Sequence, residues 1–181
     1  MNKTTLNALA LFPLQLETHY AAIPQEFRHW APPSWDGVPS EPFTAIEQIC
    51  HVRDIEIDGY QERFRRTLHE EHPLLPSIDS ETLAVERDYA RADADEVLSA
   101  FHEARARTVA MISALGKGDL SRTAEFEGYG VVTLRSLVHY LCSHDQQHLA
   151  GLQWLLGKIE AVSAAAVIPA KAGNHSSVAS E

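Results

Sequence analysis

Leu134-Arg135-Ser136-Leu137-Val138-His139-Tyr140-Leu141-Cys142-Ser143-His144-Asp145-Gln146-Gln147-His148-Leu149-Ala150-Gly151-Leu152-Gln153-Trp154-Leu155 is the stretch on which the fold turns. Leu134, Leu137, Leu141, His144, His148, Leu152 and Leu155 recur at helical spacing, so they share one face that should pack on a core. His144 and His148 continue that apolar stripe. Imidazoles one turn apart can close on one divalent ion, each giving a neutral nitrogen at roughly 2.0–2.1 Å. A histidine pair on a solvated face needs no explanation. One on a core stripe needs a partner: a metal ion, a backbone group or a carboxylate. With ten histidines in 181 residues, spacing alone does not choose among these.

Outward from this segment, three more stretches carry helical periodicity. The first is predicted over 4–23, with Leu6, Leu9, Ala10, Leu14, Leu16 and Tyr20 apolar and Pro13 a candidate kink. A Pro- and Trp-rich loop follows over 24–42, its Trp30 and Trp35 expected to cover the bundle end or wall a pocket mouth. The second helix opens at Thr44-Ala45-Ile46-Glu47, a capping box, and runs to about Leu68 with Ile46, Cys50, Ile57, Tyr60 and Phe64 as its stripe. The third is predicted from Asp93, as N-cap, to Leu115, with Val97, Phe101, Ala104, Thr108 and Leu115 on one face. Segment 116–132 is glycine-rich and reads as a loop, with Gly130-Val131-Val132-Thr133 the only extended piece. The fourth helix is predicted from Thr133 to about Gly157.

These elements define an all-α fold, a four-helix bundle with long inter-helix loops over 1–160. The Ala- and Ser-rich end, 161–181, reads as a disordered tail.

Composition narrows the function. Hydrophobic residues make up 45% and charged residues 22%, values of an ordinary globular chain. The formal net charge is -10, from 15 Lys and Arg against 25 Asp and Glu. Such a balance disfavours nucleic acid as a partner, because phosphate neutralisation takes clustered cations. No apolar run is long enough to span a membrane, and no cleavage site follows the first one. Cytoplasmic residence is the expectation. Cys50 and Cys142 read as buried thiols rather than a disulfide framework.

Two histidines leave a metal site incomplete. On the second helix, His51 falls away from the Ile46–Cys50 direction, among Glu47, Gln48, Asp54, Ile55 and Asp58. It is either a half-exposed helix histidine or the wall of a pocket at one end of the bundle. The pattern does not decide between the two.

Three segments in order resemble the DinB/YfiT-like family of four-helix-bundle metalloenzymes. The first is Trp35 followed by Ile49-Cys50-His51-Val52-Arg53-Asp54-Ile55-Glu56. The second is Ala84-Val85-Glu86-Arg87-Asp88-Tyr89, with Phe101 and Arg105 beyond it. The third is Val132-Thr133-Leu134-Arg135-Ser136-Leu137 leading into His144-Asp145-Gln146-Gln147-His148-Leu149. The resemblance spans about 6–157 and implies one metal ligand from the second helix and a pair from the fourth: His51, His144 and His148. Three neutral imidazoles leave a position for water or substrate, as in a catalytic site. The ion is expected to be zinc, nickel, iron or manganese, which this ligand set does not separate. Asp54, Glu56 and Asp145 are candidates, by sequence proximity, to orient the imidazoles. The plainer reading of each is a surface charge.

The resemblance implies a metal-dependent thiol transferase or hydrolase, since relatives include bacillithiol- and mycothiol-dependent transferases and a mycothiol-dependent maleylpyruvate isomerase. A low-molecular-weight thiol is then a candidate cofactor, and a small molecule the expected partner. The alternative is a non-catalytic protein of stress response that binds a metal or ligand, distinguished by whether an open metal position faces an accessible pocket. A zincin-like peptidase is a third reading, weakened because His144-Asp145-x-x-His148 has Asp where HExxH needs a longer Glu. A homodimer is compatible with the sequence, which locates no interface for it. Arg53 and Arg105 either meet an anionic substrate at the pocket mouth or, on the plainer reading, pair at the surface with nearby carboxylates, and His69-Glu70-Glu71-His72 reads as a solvated turn rather than a second metal site.

Overall fold

Four long helical stretches form the bundle, described over residues 1–167 in a computed structural model. α1 is Lys3–Ala21, capped by Asn2, whose Oδ1 accepts the Thr5 N–H at 2.7 Å. The second stretch covers 45–69 and is built of α2 (Ala45–Asp54), a π-helical segment Ile55–Gln61 and α3 (Glu62–His69). Then come α4 (Ser80–Glu86), α5 (Ala94–Ala114), α6 (Lys117–Leu120) and α7 (Leu134–Val167). α1 packs on α5 and α7, and α2 on both of those helices as well.

The predicted helix starts form as read. The Glu47 carboxylate accepts from the Thr44 N–H at 2.8 Å and from its hydroxyl at 2.7 Å. Asp93 accepts the N–H groups of Asp95 and Glu96, satisfying donors that the first turn leaves unpaired.

Four features differ from expectation. The π-helical segment widens one turn, so neighbours Ile55 and Glu56, then Gly59 and Tyr60, are buried together. Ile57, expected on the stripe, is left only half-buried. In α1 the core face is Leu9, Phe12, Pro13, Leu16 and Tyr20, while Leu14 is exposed. Segment 116–132 is not all loop: β2 (Thr123–Phe126) pairs antiparallel with β3 (Gly130–Thr133) and parallel with β1 (Leu74–Leu75). Finally, α7 continues past Gly157 to Val167, so 161–167 is helical rather than disordered. The rest of the expected tail, 168–181, lies outside the described residues.

The core is in two halves. One holds Phe12, Leu16, Ile46, Ile49, Cys50, Phe101, Leu152 and Leu155. The other holds Leu9, Phe64, Ile112, Phe126, Leu134, Leu137 and Leu141. Between them, on three helices at once, lies a buried polar layer: His51 and Glu56, Arg105 and Thr108, Asp145 and His148. Trp35 stacks on Trp154 with ring centroids 5.9 Å apart, and Trp30 packs on the first half of the core. The loop over 24–42 is thereby fastened to the bundle, and its next residues reach the polar layer. No helix among the described residues is long and apolar enough to cross a membrane.

Candidate metal centre

α2 contributes His51 and α7 contributes His144 and His148 to one cluster, their ligating nitrogens all within 4.8 Å of one another. His144 Nε2 lies 3.1 Å from His51 Nε2 and 3.1 Å from His148 Nε2. Nitrogens held about 2.0–2.1 Å from one ion stand roughly 2.8–3.0 Å apart at octahedral cis positions and roughly 3.3–3.4 Å apart in tetrahedral geometry, values that bracket the observed separations. The spacing therefore fits a shared ion. His51 and His148 are fully buried, and His144 is half-buried at the wall of a cavity.

Burial holds all three imidazoles below their ordinary pKa, and mutual repulsion adds to this for His144 and His148. Neutral rings present lone pairs, the form that binds a metal. For His148 the surroundings also choose the tautomer. Its Nδ1 hydrogen-bonds Gln48 Oε1. The Gln48 amide is oriented by its own Nε2, which donates to Ser40 Oγ at 2.8 Å and to the Glu41 carbonyl at 3.2 Å. His148 is therefore Nδ1-protonated, and its Nε2 lone pair faces the cluster. This arrangement requires glycine at 151, where a Cβ would stand 2.4 Å from Ser40 Oγ and 3.1 Å from Gln48 Nε2. Replacing Gln48 with leucine frees the His148 ring, and metal affinity is expected to fall about 10–100-fold. Titration of the apo variant with Zn²⁺ checks it.

Glu41, which the sequence reading passed over, also faces the cluster. Its oxygens lie 3.7 Å from His51 Nε2 and 3.4 Å from His148 Nε2, with its side chain partly open to solvent. No periodicity marks a loop residue of this kind. Only the chain path through Trp35 and Gln48 brings it there.

The three carboxylates expected to orient the imidazoles are buried rather than at the surface, and none hydrogen-bonds a histidine. Asp54 accepts from Arg53 Nε at 2.7 Å and the Tyr89 hydroxyl at 2.7 Å, and pairs with Arg87 at 2.9 Å. Burial opposes its charge, yet these partners hold its carboxyl below the ordinary value. Glu56 and Asp145 instead flank Arg105. Asp145 takes two bonds from it, at 2.6 and 2.8 Å, and Glu56 takes one at 2.9 Å. Arg105, read as a surface residue, is 1% exposed and lies against the rings of Phe12 and Phe101. Burial pushes the Asp145 carboxyl up to about 7 against the pull of Arg105. The arginine–carboxylate group ties α5 to α7 and to the π-helical segment through side chains, at the residue next to His144.

The cavity before the histidines has a volume of about 150 Å³ and is lined by His51, His144, Glu41, Tyr60, Arg63 and Tyr129, among others. Trp30 and Trp35 do not line it, because they are packed on the core. Cys50 is buried against the Tyr89 carbonyl, and burial pushes its thiol up to about 12, which leaves it unreactive.

Fold and cluster together define a helical-bundle protein with a three-imidazole centre at the boundary between its two core halves. Residues 12–152 match the DinB superfamily, and the chain belongs to it. Among solved structures it is similar to YfiT from Bacillus subtilis, a probable metal-dependent hydrolase with an unusual four-helix bundle topology. The TM-score is 0.75 at 19% identity, covering 88% of this chain and 90% of that one, a likeness of fold. No curated protein sequence is detectably similar to the chain.

Proposed function

We propose that the protein is a divalent-metal-dependent enzyme of hydrolase type, in which His51, His144 and His148 hold the ion and Glu41 serves as the proton acceptor. The observation that carries this reading is the convergence of three neutral imidazole nitrogens, 3.1 Å apart in two pairs, with His51 and His144 on the wall of an open cavity and His148 fully buried beside them. A non-catalytic, closed centre would not need that opening. An ion bound there supplies Lewis acidity and brings the pKa of water, or of a substrate thiol, toward about 7.

The chain's own groups do the rest. Gln48 fixes the His148 ring, and Glu41 stands where a carboxylate can take a proton from the attacking nucleophile and return it to the leaving group. Neither described cysteine is placed to act, and the nucleophile we assign comes from outside the chain. The donor set accepts zinc, nickel, iron or manganese. Water is the nucleophile we favour over a low-molecular-weight thiol, since Glu41 supplies the base that water needs. Asp145 does not support a peptidase reading, because both its oxygens are engaged by Arg105.

The test is a panel of small activated esters and amides with metal-loaded protein, with and without added cysteine. Turnover independent of thiol supports hydrolysis; turnover only with thiol replaces it by transfer. Glu41→Gln is expected to lower kcat about 10²–10⁴-fold, the usual range for a general base, with metal content unchanged. Unchanged kcat removes Glu41 from the mechanism.

A further inference from the structure

Arg63 is the second charged residue, after Glu41, on the lining of the cavity. It is 7% exposed and, among the described residues, has no carboxylate within salt-bridge distance. Every other deeply buried arginine charge in the polar layer is matched: Arg105 has Asp145 and Glu56. Arg63 has one hydrogen bond, from Nη2 to the Pro76 carbonyl at 3.3 Å, and its buried Nε has no partner. Its guanidinium lies over the rings of Phe126 and Tyr60, at 4.5 and 5.2 Å. Gly59 makes room for it, since a Cβ there would stand 2.9 Å from Arg63 Nη1.

A buried cation without an anion is costly, and a bound anion would offset that cost. We propose that the cavity takes an organic anion, a small carboxylate with an aromatic or short aliphatic body, and that Arg63 anchors its charge. The inference rests on the reading of the histidine cluster as a metal site beside the same cavity. Phe126, Tyr60 and Tyr129 supply apolar walls for the body of such a molecule, and Ile55 and Ile78 extend them. Burial already draws the Arg63 pKa below its ordinary value, opposed only by the hydroxyls of Tyr60 and Tyr129. An incoming carboxylate would provide the counter-charge that the fold withholds. Glu41, at the histidines, is left to the reacting end.

The experiment compares benzoate with its neutral isostere benzamide on the full chain loaded with Co²⁺, reading binding from calorimetry and the cobalt spectrum. The wild type is expected to prefer benzoate by at least tenfold. Arg63→Met is expected to lose that preference with cobalt affinity unchanged, and Arg63→Lys to keep most of it. Arg63→Met, freed of an unmatched charge, is expected to melt no lower than the wild type. Equal binding of benzoate and benzamide by the wild type overturns the proposal, and so does a benzoate preference that survives in Arg63→Met, which would assign it to the metal. A melting temperature lowered in both variants would mark Arg63 as a packing residue and also overturns it. A wild type that takes up no cobalt overturns instead the metal reading on which the proposal rests, so the two failures are separable.

Discussion

His148→Ala is expected to abolish tight divalent-metal binding, lowering affinity by at least about 100-fold, because loss of an orienting partner alone costs 10–100-fold. The substitution removes one of three converging imidazoles and also leaves Gln48 without its partner. It should leave the bundle folded. His148 is neutral and buried, and its neighbours Leu149 and Leu152 keep α7 seated on the first half of the core. The checking measurement is thermal denaturation with and without Zn²⁺. A ligand at 100 times its Kd stabilises by about 2.7 kcal/mol, so the wild type melts higher with zinc and the variant does not. Equal stabilisation of both proteins by zinc would place the metal elsewhere.

Asp145→Ala is expected to give the largest loss of stability, about 3–5 kcal/mol, or roughly 6–20 °C in melting temperature. It removes two of the three carboxylate bonds to Arg105, a guanidinium that is 1% exposed. Glu56 remains, with one bond, and the Leu9 carbonyl accepts at 3.3 Å. The cost is that of stranding a charge, not the net worth of the pair. Replacing Arg105, Glu56 and Asp145 together by apolar residues of similar volume should therefore destabilise far less than Asp145→Ala alone. A double-mutant cycle between Arg105 and Asp145 measures the coupling. A loss below about 1 kcal/mol for Asp145→Ala would show that water or Glu56 already satisfies the arginine.

The bundle was legible because its signals are local. The α7 stripe needs only spacing, and six of its seven predicted residues are buried, with His144 half-buried at the cavity. Thr44 and Asp93 announce their helices through hydrogen bonds within three residues. What stayed hidden depends on pairing across the fold. Arg105, Glu56 and Asp145 look like surface charges until three helices bring them together. The π-helical segment has no compositional mark and shifts the burial of Ile57. The strands are short, and β1 acquires its partner from a distant part of the chain, with Leu74 opposite Glu125. α7 runs past Gly157 because Ile159 still packs on the core.

The candidate site divides the same way. HxxxH on α7 was visible as a pair needing a partner, whereas His51 entered through family resemblance, its own periodicity being mixed. Gln48 and Glu41 were not singled out, although both face the histidines more closely than the three carboxylates that were. Asp145, next to His144 in sequence, points to another face of α7, and the group that orients the His148 ring comes from the facing helix α2.

The measurement that tests the account most directly is X-ray absorption spectroscopy of the protein loaded with one equivalent of Zn²⁺. The account predicts three imidazole nitrogens at roughly 2.0–2.1 Å with oxygen completing the shell, and two imidazoles or fewer in His148→Ala. A sulfur ligand, a shell of oxygen alone, or a wild-type spectrum unchanged by His148→Ala would contradict it.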